Sequence, residues 1–130
     1  MQVADMIKAA RNQITNLNVD QVAAALDNAN IVLLDVREPG EVAGGTIPGA
    51  ITAPRGMLEF HADATSPYHL PQMNPAHTVI VYCKSGARSA LAAATLVSMG
   101  YQDVAHLDGG ITAWTDAQRP TTPPIEAAQR

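Results

Sequence analysis

One cysteine, Cys83, in 130 residues rules out an internal disulfide and any cage of cysteine ligands around a metal. Aromatic residues make up only 4% of the chain and charged residues 15%, against 47% hydrophobic residues, many of them alanine. Alanine favours helix and packs closely, so tightly packed helices with few aromatic anchors are expected. A net charge of -4 leaves no dense basic face of the kind that phosphate backbones require, and no nucleic-acid partner is expected. A small anion is still compatible with that balance, because a pocket can be locally positive on an acidic protein. No stretch approaches the roughly 20 apolar residues of a transmembrane helix. Residues 1–13 carry Lys8 and Arg11 and lack the continuous apolar core of a signal peptide. The expectation is therefore a cytoplasmic protein with no membrane partner.

The apolar pattern predicts alternating helices and strands. Val3, Met6, Ile7, Ala10 and Ile14 have helical spacing over residues 1–15, and Asp20 opens a second helix with Val22, Ala23 and Leu26 on one face. The unbroken run 31–34 reads as a buried strand, residues 49–53 as a weaker one, and 55–64 as a helix with Met57, Leu58 and Phe60 on its apolar side. The run 78–82 is the strongest strand and leads straight into Cys83. A helix over 89–99, with Leu91, Ala94, Thr95 and Val97-Ser98 on successive turns, is stopped by Gly100. Residues 104–107 form a last short strand, and Asp108-Gly109-Gly110 turns into a final helix holding Trp114. The prolines at 120, 123 and 124 suggest a loose tail. Such alternation implies an α/β domain whose parallel sheet is covered on both faces, with any ligand beyond the carboxyl ends of the strands. Cys83 stands at such an end.

The segment Cys83-Lys84-Ser85-Gly86-Ala87-Arg88-Ser89 has the makeup of an anion cradle. Small residues let successive N–H groups turn inward, and the following helix presents its free N–H groups and positive dipole end to the same point. Lys84 and Arg88 place positive charge at the rim. A cysteine at the floor of this loop is expected to react as its thiolate. The competing reading, an inert core thiol at a strand end, does not call for a small-residue, doubly basic loop.

Three blocks resemble the rhodanese-like sulfurtransferases: this loop, Leu34-Asp35-Val36-Arg37-Glu38 with Glu41 and Gly45-Thr46-Ile47-Pro48-Gly49-Ala50, and Leu107-Asp108-Gly109-Gly110 with Trp114. They follow the family's order across residues 19–119. The family often has histidine where this chain has Thr46, a departure that bears on the fold. The resemblance implies a five-stranded parallel sheet with helices on both faces. Here an extra N-terminal helical extension (residues 1–18) precedes the domain (19–119), and a tail (120–130) follows it.

It also implies that Cys83 is the nucleophile, carrying sulfur as a persulfide. The amides of Lys84, Ser85, Gly86, Ala87, Arg88 and Ser89 would hold the terminal sulfur, and Lys84 and Arg88 would attract an anionic donor such as thiosulfate. Cyanide or a thiol, a protein thiol included, would be the acceptor, with no cofactor and no metal. A non-enzymatic sulfur carrier or partner-binding module is the alternative. Four residues separate Cys83 from Arg88, one fewer than in cysteine-dependent phosphatases. In this family the shorter loop goes with sulfur transfer, and the longer one with phosphate or arsenate chemistry.

Other residues invite plainer readings. Arg37 is expected to pair with Glu41 or another carboxylate and pin its loop, and Asp35 to orient the loop through its amides. His61, His69, His77 and His106 have no ligand spacing and read as surface or edge residues, with His61 the one that could border the pocket. Arg55 or Glu59 could also reach it. Trp114 reads as packing, and the face bearing Lys8 and Arg11 as solvated.

Overall fold

The run of apolar side chains before Cys83 is uninterrupted because both faces of that strand are covered. In the computed structural model, which describes residues 1–124, Val79, Ile80, Val81 and Tyr82 are all buried. They belong to β4 (Thr78–Tyr82), the central strand of a five-stranded sheet. On one side it pairs with β2 (Ile31–Asp35), which pairs in turn with the short edge strand β3 (Ile51–Thr52). On the other side lie β5 (Val104–Leu107) and then β1 (Thr15–Leu17). The order is β1-β5-β4-β2-β3, and every pairing is parallel.

Two cores flank the sheet. One joins Leu34, Val79 and Val81 to Leu58 and Ala62 of α4 (Leu58–Ala62) and to Ala92, Ala93 and Leu96 of α5 (Ala87–Ser98). The other joins Leu33, Ile80, Tyr82 and Leu107 to Val22 of α2 (Val19–Ala25) and Trp114 of α6 (Gly110–Asp116). A short helix, α3 (Pro39–Val42), follows β2. The extra N-terminal helix, α1 (Val3–Arg11), lies against α5.

The α/β architecture agrees with the sequence expectation, and four local features do not. The helical pattern expected over 1–15 stops at Arg11, and Thr15–Leu17 forms the fifth strand. Three residues on an edge are too few to show a period of two. Of the residues expected on successive turns of α5, Leu91, Ala94, Thr95 and Ser98 line a cleft toward Met6 and Ala9 of α1 and only Val97 packs against the core, whereas the residues buried beneath that helix are Ser89, Ala90, Ala92, Ala93 and Leu96. Arg11 is not merely solvated: it makes a two-toothed ion pair with Asp108, 97 residues along the chain, at 2.7 and 3.0 Å.

The fourth difference concerns the tail. Thr122 and Thr46 exchange backbone hydrogen bonds of 2.8 and 2.9 Å, and Trp114 Nε1 donates to the Pro120 carbonyl at 2.8 Å. Residues 120–124 are therefore tied to the domain, while 125–130 lie outside the described residues. Thr46, buried at that clasp, stands where the family often has histidine, and its hydroxyl lies 3.3 Å from the Thr122 carbonyl.

Candidate active site

Cys83 leaves the end of β4 and sits beneath the loop that starts α5, only 1% exposed. The N-cap of α5 is Gly86, with φ of 107°, so no side chain is available there to accept from the first turn. The Cys83 sulfur takes that place. Its Sγ accepts from the amides of Gly86 at 3.2 Å and Ser89 at 3.3 Å. A helix N-terminus leaves such donors unsatisfied, and an anionic acceptor there gains from the helix dipole as well. Among the described residues, the amides of Lys84, Ser85, Ala87 and Arg88 have no backbone acceptor. The predicted loop residues are thus brought together around one sulfur, with two amides directed at it and four more close by in sequence.

The loop is held from below by the third sequence block. The amides of Ile111 and Thr112 donate to the carbonyls of Cys83 and Lys84 at 2.9 and 3.1 Å. A Cβ on Gly86 would lie 3.2 Å from the Gly109 amide nitrogen. The Asp-Gly-Gly turn is therefore a bracket under Cys83 as much as a change of direction.

The rim differs in one respect from expectation. Lys84 is exposed, but the Arg88 guanidinium is engaged by the carboxylate of Glu41 at 2.7 and 2.9 Å. The Arg88 hydrogen bonds hold the Glu41 carboxyl at about 2, well below its ordinary 4.5. Arg37 pairs with Asp35, not with the Glu41 side chain. Both are buried, and the guanidinium also donates to the carbonyls of Glu41 and Gly45. Asp35 accepts from the Arg37 amide at 3.0 Å and so orients the loop after β2 through its backbone as well as its side chain. Tyr82, whose hydroxyl accepts from the Ile47 amide at 3.1 Å, has its pKa pushed up by burial and by the Asp35 charge.

The depressed pKa of Glu41 sets a pH dependence. Its folded value lies below its unfolded one, so the pair's contribution is complete above about pH 4.5 and is lost as pH falls through about 2. Both side chains are about a third exposed, so solvent screens the pair and the effect is on the order of 1 kcal/mol or less. Denaturant melts between pH 5 and pH 2 should show this component in the wild type and lose it in Glu41→Gln.

Two openings flank this rim. A cleft of about 290 Å³ lies between Glu41, Gly45, Lys84, Thr112 and Thr121. A larger cavity of about 550 Å³, lined by Pro39, Val42, Pro54, His61 and Leu70, lies beyond Arg37 and does not include Cys83. His61 borders that cavity, and its Nδ1 is 2.9 Å from the Tyr68 carbonyl oxygen. Arg55 and Glu59 pair with each other at 3.0 Å, and Arg55 donates to Thr95 of α5, so they tie helices together and are not among the loop's partners. Trp114 is a packing residue, 4% exposed. His106 departs furthest from the surface or edge position that its sequence context suggests: it is fully buried in β5, with Nδ1 2.8 Å from the Ser89 hydroxyl.

The rhodanese-like domain model matches residues 18–117. The chain belongs to the rhodanese-like family. A sulfurtransferase from Allochromatium vinosum is 34% identical over 113 residues, covering 87% of this chain and 96% of that protein. A thiosulfate sulfurtransferase from Pseudoalteromonas translucida is 30% identical, covering 78% and 90%. Among solved structures, a Rhodopseudomonas palustris protein of unknown function, described as a possible tyrosine phosphatase, superposes with a TM-score of 0.89. It is 38% identical, and the match covers 94% of this chain and 95% of that one. A thiosulfate sulfurtransferase from Pseudomonas aeruginosa gives a TM-score of 0.75 at 30% identity, over 92% of this chain and 22% of that one. Family and relatives together make this rhodanese-like chain a sulfurtransferase.

Proposed function

We propose that this rhodanese-like chain moves sulfane sulfur through a persulfide on Cys83. The Cys83 thiolate attacks the outer sulfur of thiosulfate or of a low-molecular-weight persulfide. The S–S bond of the donor breaks, and sulfite or a thiolate leaves with the electron pair. The negative charge on the new terminal sulfur is stabilised by the loop amides and the α5 N-terminus. A thiol or cyanide then attacks that sulfur and regenerates the Cys83 thiolate, which gives double-displacement kinetics. The observation that carries this reading is the pair of amide hydrogen bonds on Sγ at the start of α5. Four residues between Cys83 and Arg88 favour sulfur over phosphate as the group held.

The test is intact mass after thiosulfate treatment, with Cys83→Ser alongside, followed by cyanide. The expected result is a gain of one sulfur that requires Cys83 and is discharged as thiocyanate. A persulfide that forms but resists both cyanide and small thiols would instead indicate a carrier with a dedicated protein acceptor. No gain from thiosulfate or from a persulfide donor would overturn the proposal.

The Glu41–Arg88 pair gives a second test. Glu41 neutralises a cation that the anionic donor would otherwise use. Glu41→Gln should lower KM for thiosulfate about twofold to fivefold, the range for one screened charge near a surface. An unchanged KM would leave Arg88 as a brace for the loop and Lys84 as the charge that meets the donor.

A further inference from the structure

The residue that the proposed chemistry leaves unused is His106, a fully buried imidazole directly behind the nucleophile loop. Its two nitrogens have different partners. Nε2 lies 2.8 Å from Asn16 Oδ1, and Nδ1 lies 2.8 Å from Ser89 Oγ. The orientation of the Asn16 amide follows from its other end, because Asn16 Nδ2 donates to the Arg11 carbonyl at 3.0 Å. Asn16 therefore presents an oxygen to the ring, and Nε2 must carry the proton. Burial lowers the His106 pKa, so the ring is neutral, and Nδ1 is left as an acceptor for the Ser89 hydroxyl. The Ser89 oxygen also lies 3.2 Å from the Gly86 carbonyl, a longer contact than the one to His106.

Ser89 is also the residue whose amide donates to Cys83 Sγ. We propose that Asn16, His106 and the Ser89 hydroxyl form a chain of positioning residues that keeps the Ser89 amide aimed at the Cys83 sulfur. On this account the N-terminal segment, which precedes the family match at residue 18, is part of the active-site scaffold. Arg11 contributes twice, through its carbonyl to Asn16 and through its guanidinium to Asp108 beside the Gly109-Gly110 bracket. The register supports the assignment: Asn16 and His106 are direct partners across β1 and β5, so strand pairing fixes their approach. None of the three side chains needs to touch substrate. Their effect is on how firmly one amide is held on a sulfur whose charge changes during the reaction, which is where preorganised donors act.

This inference rests on Cys83 being the reacting sulfur, and its test is chosen to stand apart from sulfur transfer. The rate of Cys83 alkylation by uncharged iodoacetamide at pH 7 would be measured in the wild type, His106→Leu, His106→Gln and Asn16→Ala. Sulfur loading from thiosulfate would be measured beside it. Gln can present an acceptor to Ser89 and a donor to Asn16, as the imidazole does. His106→Leu should alkylate and load about tenfold more slowly, with KM for thiosulfate within about twofold, since one hydrogen bond to a charged group is loosened and no substrate contact is lost. His106→Gln should recover to within about threefold, and Asn16→Ala should fall about threefold. A folded His106→Leu that alkylates at the wild-type rate would overturn the proposal, and so would a His106→Gln as slow as His106→Leu. Should His106→Leu fail to fold, Asn16→Ala at the sheet edge decides, a wild-type rate overturning the proposal. Slowed alkylation in the variants, beside a wild type that loads no sulfur, would support the positioning chain and count against sulfur transfer itself.

Discussion

Gly110→Ala is expected to leave little folded or active protein. Gly110 has φ of +62°, a region that costs residues with a Cβ roughly 1–2 kcal/mol. A Cβ there would lie 2.6 Å from the Cys83 carbonyl oxygen and closer still to the Lys84 carbonyl group. Those atoms are backbone, so they cannot swing aside as a side chain would. Either α6 moves away, breaking the Ile111 and Thr112 hydrogen bonds to the loop, or the loop moves and carries Cys83 with it. Overpacking adds about 1–3 kcal/mol to the conformational cost, for a total of about 2–5 kcal/mol. Urea melts of Gly110→Ala against wild type would read the stability. Alkylation of Cys83 in the surviving folded fraction would read the loop. A variant with wild-type stability and reactivity would show that the bracket yields more easily than its geometry implies.

Arg37→Leu should be equally damaging for an electrostatic reason. Asp35 is 0% exposed and Arg37 5%, so the carboxylate loses its cation with no access to water. Removing one partner of a buried ion pair costs about 3–5 kcal/mol, most of it the penalty of the stranded charge. Arg37 also donates to the Gly45 and Glu41 carbonyls and stands 5.7 Å from the centre of the Tyr82 ring, so the loop from β2 through α3 loses its organiser. That loop carries Glu41, the partner of Arg88, so the rim of the site should loosen as well. The double variant Asp35→Leu/Arg37→Leu tests the cause: removing both charges should recover much of the stability lost in Arg37→Leu alone. A double variant as unstable as the single one would place the loss in the carbonyl hydrogen bonds.

Much of this protein is determined locally by its sequence. The continuous apolar run of β4 requires a strand covered on both faces. The small residues and helix signal after it require a tight loop at the start of α5, and that alone marks Cys83 as the residue at the mouth of a donor-rich turn. The three sequence blocks point to the family because each keeps residue types whose backbone or charge roles depend little on distant context.

Only the tertiary structure decides which partners meet. Arg88 and Glu41 are 47 residues apart, and nothing in their spacing says that Glu41 serves Arg88 while Arg37 serves Asp35. Gly110 reads as a turn residue, but its need for glycine comes from a backbone more than 20 residues earlier in the chain. His106 carries no local signal at all. A histidine in a short strand is polar by composition, and its burial exists only because α5 crosses above it and β1 pairs beside it. Period and propensity report on neighbours along the chain. Ion pairs, buried networks and close backbone approach are set by contacts across it, and in this protein those contacts build the surroundings of the Cys83 sulfur.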